Sequence, residues 1–139
     1  MISLELAVEL QAAGLRWHPE AGDRFTIDKP GLVGDVFTLS EMTVEAHTYP
    51  TGTILGFNGT TEWALDSVAL EETLWLPRED QLRELLGGTF RGLDRDDGLF
   101  RVTTTPPGTS GPGVAEHAAE NAADAYALAL LDLIGRSSD

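Results

Sequence analysis

The dipeptide Asp97-Gly98 interrupts a run, "TFRGLDRDDGLFRVTTT", in which Leu99, Arg101 and Thr103 alternate with Phe100, Val102 and Thr104. A two-residue connection of this kind joins only antiparallel neighbours, because parallel strands need a long crossover. The same signal recurs at Asn58-Gly59, and Pro50-Thr51-Gly52 separates an alternating run, Met42 to His47, from its return, Thr53 to Phe57. Further β-like stretches occur near Arg24–Ile27, Val36–Ser40 and Glu62–Leu65. The centre of the chain is therefore expected to form an antiparallel sheet of about five to seven strands.

Helical periodicity brackets these strands. Ser3 is a suitable N-cap for a segment in which Leu4, Leu6, Ala7, Val8, Leu10, Ala13 and Leu15 supply the apolar positions, and Gly14 stands where a C′ glycine belongs. An internal helix is expected in "PREDQLRELLGG": Pro77 at N1, Leu76 as N-cap, Glu79 at N3, and Leu82, Leu85 and Leu86 toward the core. Glu79 and Arg83 form an i, i+4 pair, and Gly87-Gly88 stops the helix. A long C-terminal helix is expected over about Val114–Ile134, with Ala119, Ala123, Tyr126, Ala127, Leu130 and Ile134 in one stripe. "TPPGTSGPG", Thr105 to Gly113, reads as a surface loop, so residues 1–139 are taken as a single α+β domain.

Composition bounds the function. The net charge is −14, split evenly between residues 1–70 (10 acids, 3 bases) and 71–139 (13 acids, 6 bases). Such a field repels phosphate backbones and anionic membranes, so no direct nucleic-acid binding is expected. The absence of cysteine removes disulfides, thiolate metal sites and cysteine nucleophiles. The N-terminal segment carries Glu5 and Glu9 and has no basic n-region, which argues against a signal peptide. The longest apolar stretch, Ala125 to Leu131, falls well short of the ~20 residues of a membrane span. A cytoplasmic protein without membrane insertion is expected.

Few residues suggest chemistry. No phosphate-binding loop, dinucleotide fingerprint, nucleophile elbow or H-E-x-x-H zinc motif occurs, and no cofactor is expected. His117, Glu120 and Asp124 would share one face of the predicted C-terminal helix at i, i+3, i+7, but that face opposes the apolar stripe and lacks a histidine pair, so no metal site is assigned. "DRDDG" at Asp94–Gly98 departs from a calcium loop, since its glycine comes one position early. His18 and His47, with nearby carboxylates, are the candidates for a small hydrolase or metal-dependent enzyme. Trp17, Trp63 and Trp75 are each either core anchors or exposed contact residues. Trp63, Trp75 and Arg78 are the candidate partner-binding residues.

"WLPREDQLRELL" at Trp75–Leu86, the strand "FRVTT" and "AENAADAYALALLDLI" at Ala119–Ile134 resemble short bacterial and phage-encoded proteins of unknown function. "FNGTTEWALDSV" at Phe57–Val68 extends the resemblance to a subset labelled pilus assembly protein. That label usually goes with ATPase-type proteins. No nucleotide-binding loop occurs here, so ATPase activity is not carried over. The expected function is a non-catalytic accessory or protein-binding module with a protein partner or self-association. The alternatives are the histidine-based enzyme and an acidic mimic that blocks a nucleic-acid-binding partner.

Overall fold

The computed structural model describes residues 1–27, 35–39, 44–49, 52–57, 67–69, 72–107 and 113–137, with the backbone alone in 44–69. The protein is α+β, with an N-terminal helix, antiparallel sheets and a long C-terminal helix. The chain divides into two compact units, Met1–Leu15 with Pro77–Asp139, and Arg16–Leu76.

In the first unit, α1 (Leu4–Ala12) begins as expected: Ser3 Oγ accepts from the Leu6 N–H at 3.3 Å. It ends in a Schellman turn. Leu15 N–H donates to Leu10 C=O at 3.0 Å and Gly14 N–H to Gln11 C=O at 3.1 Å, with Gly14 at φ 108°. The helix α2 (Glu79–Leu86) starts two residues later than the sequence suggests. Arg78 is its N-cap and donates its backbone N–H to Gln81 Oε1 at 2.9 Å, so Gln81, not Glu79, closes the box. Pro77 thus stands at N′ and Leu82 at N4, both fully buried, the two positions that a hydrophobic staple joins.

The third sheet of the chain, β7 (Phe90–Asp96), β8 (Leu99–Thr104) and β9 (Ala115–Ala119), is antiparallel in the order β7-β8-β9. Asp97 and Gly98 connect the first two with φ of 53° and 77°, the type I′ geometry that the dipeptide encodes. The strand β9 corrects the sequence reading. Residues 115–119 pair with β8, and α3 (Ala122–Ser137) starts only after them. Alanine-rich sequence suits a helix, but partnering the β8 edge overrides that preference. Asn121 marks the new boundary, its Oδ1 accepting from the Asp124 N–H at 2.9 Å.

The core of this unit forms around α3, which packs on β8 and β9 and against α1 and α2. Its buried arc is accordingly wider than one stripe: Ala122, Ala125 and Ala129 join Ala123, Tyr126, Ala127 and Leu130. The small side chains let several elements approach the same helix. The Tyr126 ring lies 5.7 Å from that of Phe90. The Ser3 N–H donates to Asp124 Oδ1 at 2.7 Å, which fixes the start of α1 against the first turn of α3.

The second unit holds two sheets. β1 (Arg24–Ile27) is central to one, between β2 (Phe37–Thr38) and β6 (Thr73–Leu76), with Phe25 opposite both Phe37 and Trp75. The strand β6 takes Leu76 into a sheet, where the sequence suggests the N-cap of a helix. The other sheet joins β3 (Val44–Tyr49), β4 (Gly52–Phe57) and β5 (Ser67–Ala69). The pairing of Tyr49 with Gly52 matches the expected hairpin. The Asn58-Gly59 turn and the strand expected at Glu62–Leu65 lie outside the described residues. Among the described residues each sheet has three strands, fewer than the five to seven expected of one sheet. Turn dipeptides encode only local pairing. Which hairpins merge depends on contacts remote in sequence.

Candidate functional site

The two described members of the candidate partner-binding set have different settings; Trp63 lies outside the described residues. Trp75 is half-buried on β6, and its indole nitrogen is shielded from solvent without an acceptor among the described residues. Arg78 belongs to the first unit, where its Nε donates to Asp80 Oδ1 at 3.2 Å. That hydrogen bond holds the exposed Asp80 carboxyl below the ordinary carboxylate value.

Trp17 resolves as a core residue. It is 9 % exposed, and its ring lies 5.2 Å from Phe25, whose own ring lies 5.8 Å from Phe37. Its Nε1–H donates to Asp23 Oδ2 at 2.9 Å, and the Glu20 N–H donates to the same oxygen at 3.0 Å. Asp23, 2 % exposed, also holds the backbone: its C=O accepts from Leu39 N–H at 2.7 Å, and Gly22 N–H donates back to Leu39 C=O at 2.7 Å. This buried carboxylate escaped the sequence reading. The signal available was an acid directly before a β run and six residues after a tryptophan.

The three histidines lie on different elements: a loop, β3 and β9. His18 is exposed on the loop before β1, and the side chain of His47 lies outside the description. His117 sits on β9, so it does not share a helix face with Asp124. Its Nε2 lies 3.4 Å from Asp132 Oδ2 on α3 but lacks hydrogen-bond geometry; the Arg136 Nε donates to that oxygen at 2.9 Å. Among the described residues no three His, Asp or Glu side chains form a metal-binding group. Asp94, Asp96 and Glu116 instead surround the Arg101 guanidinium at 3.9 to 4.0 Å. One guanidinium thus draws three carboxylates together on one sheet face.

The open surface lies on α1. Its buried arc is Ala7 and Leu10, with Ile2 just before the helix. Leu4 and Val8, expected in the core, are 45 % and 52 % exposed. The physical reason is rotational. The Ser3–Asp124 bond and the contact with α3 set which side faces inward, and a nine-residue helix can bury one arc. Leu4, Val8 and Ala12 follow i, i+4, i+8 and form an exposed apolar stripe, with exposed Met1 at its head. Glu5 and Glu9, each one residue further and ~100° round the helix, form an exposed acidic row beside it. On α2, Leu85 is likewise exposed at 42 %, whereas Leu82 and Leu86 are buried.

Comparison with protein-family models, curated proteins and solved structures finds no match to the chain. No helix among the described residues is long and apolar enough to cross a membrane.

Proposed function

We propose that the protein is a non-catalytic, cytoplasmic accessory module that works by binding another protein. The observation that carries this reading is the Leu4–Val8–Ala12 stripe, exposed on a helix whose other side belongs to the core. A single exposed leucine is ordinary, but apolar side chains aligned along a whole short helix form a contiguous patch. Trp75 and Arg78 are proposed as further contacts, because a half-buried tryptophan and an accessible arginine are favoured at binding hot spots. Trp63 retains its place in that proposal on sequence grounds.

The test is affinity capture from cells that express the protein naturally, with wild type and the Leu4→Ser/Val8→Ser double variant side by side. A protein retained by wild type and lost with the double variant, while circular dichroism shows the fold intact, is the expected result. Identical captured sets would reject α1 as the binding element, and Trp63→Ala, Trp75→Ala and Arg78→Ala then test the remaining contacts. Failure of all four to alter capture overturns the reading.

A further inference from the structure

We propose that the occupant of the α1 stripe is a basic amphipathic helix, laid along α1 with apolar side chains on Leu4, Val8 and Ala12 and lysines or arginines against Glu5 and Glu9. This inference rests on the protein-binding reading and names the chemistry of the partner.

Charge complementarity decides among occupants. Glu5 and Glu9 lie beside the stripe, and neither has an ion-pair partner among the described residues. Elsewhere in the unit Asp132 is bonded by Arg136 and Asp80 by Arg78, while Glu79, Glu84, Asp97 and Glu120 also lack an ion pair among the described residues. What sets Glu5 and Glu9 apart is their place as a row along the exposed apolar stripe of α1. Glu5 favours the N-terminal dipole, but Glu9 repeats the charge at i+4 and lies in the C-terminal half of a helix with no basic residue in its last turn. For α1 alone the second glutamate is unfavourable. A cationic row on a partner would neutralise both and extend the contact that the apolar stripe begins. A second copy of the chain would bring the same acidic row and another net charge of −14 to the contact. An anionic membrane surface is repelled for the same reason. A helical ligand matches the spacing, because its own i, i+4 apolar positions align with those of α1.

Three synthetic helical peptides with identical leucine positions, and lysine, glutamine or glutamate along the rim, test this against the full chain by fluorescence anisotropy. The lysine peptide is expected to bind about fivefold tighter than the glutamine peptide, the effect of two exposed ion pairs. Raising the salt to about 0.5 M should erase most of that advantage. Glu5→Gln/Glu9→Gln should bring the lysine and glutamine peptides level, and Leu4→Ser/Val8→Ser should abolish binding of both, each with unchanged circular dichroism. Equal binding of all three peptides to wild type overturns the basic-partner inference and leaves the protein-binding reading standing. Lysine-peptide binding that survives both double variants also overturns it, because attraction to the acidic chain in general would then account for it. No binding of any peptide overturns it too, and the capture experiment then decides the broader reading separately.

Discussion

Trp17 and Trp75 belong to one unit and are both tied to Phe25, the first by ring packing at 5.2 Å and the second as its cross-strand partner. Their polar ends differ. The Trp17 indole donates to a buried carboxylate, whereas the Trp75 indole nitrogen is shielded from water without an acceptor among the described residues. Net stabilisation from a made hydrogen bond is ~1 kcal/mol, but a buried donor left without one costs ~1–3 kcal/mol. The Trp17 side of Phe25 is therefore a polar clamp as well as an apolar contact, and the Trp75 side is apolar contact with a donor that has no acceptor among the described residues. Beside the clamp the backbone is also tied down, since the Leu39 N–H donates to Asp23 C=O and the Gly22 N–H donates to Leu39 C=O, next to β2.

Breaking the clamp has the largest expected effect. Asp23→Ala strands both the Trp17 indole and the Glu20 N–H, and should destabilise this unit by about 2–4 kcal/mol. Urea unfolding followed by far-UV circular dichroism measures it, and a loss below about 1 kcal/mol would show that the carboxylate is dispensable. Trp17→Phe keeps an aromatic ring near Phe25 but removes the donor and leaves space. A loss of about 1–3 kcal/mol is expected in the same assay. If that substitution is neutral, ring packing alone accounts for Trp17.

The two tryptophans also show why the sequence is legible in some places and opaque in others. Local rules found Ser3 as N-cap, Gly14 as the helix stop, the Asp97-Gly98 hairpin and β1 at its observed bounds, because each depends on neighbours within a few residues. Nothing local distinguishes Trp17 from Trp75; their fates depend on whether a loop folds an acid back onto the indole. The same limit explains β9. Its alanines have helical propensity, and only the exposed edge of β8 makes a strand the better use of them. It explains Leu4, Val8 and Leu85 as well, for which the apolar pattern was right and the rotation of the helix against α3 was not encoded nearby. Of the candidate contacts, Trp75 and Arg78 can be named from residue type and position, but not their surroundings. The α1 stripe became visible only once the buried arc of the helix was known.

A double-mutant cycle sharpens the comparison. Trp17→Phe and Asp23→Ala share one hydrogen bond, so their costs should fall short of additivity by about 1 kcal/mol or more. Trp75→Phe combined with Asp23→Ala should be additive within about 0.5 kcal/mol, since no bond links the two residues among the described contacts. Coupling of similar size in both cycles would mean that the cluster responds as one body and that the distinction between the two sides of Phe25 has no energetic content.

The smallest effect is expected from Trp75→Phe alone. The change removes a buried donor that has no acceptor among the described residues, which stabilises, and trims apolar area from a ring that is already half-buried, which destabilises. The terms oppose each other, so the unfolding free energy in urea should change by no more than about 0.5 kcal/mol in either direction. A loss of 2 kcal/mol or more would place Trp75 with Trp17 as an anchor of the core. A neutral result makes the same variant a clean probe of binding. Reduced partner capture by Trp75→Phe at unchanged stability would assign the exposed part of the ring to the contact surface, because packing and recognition make opposite demands on this residue.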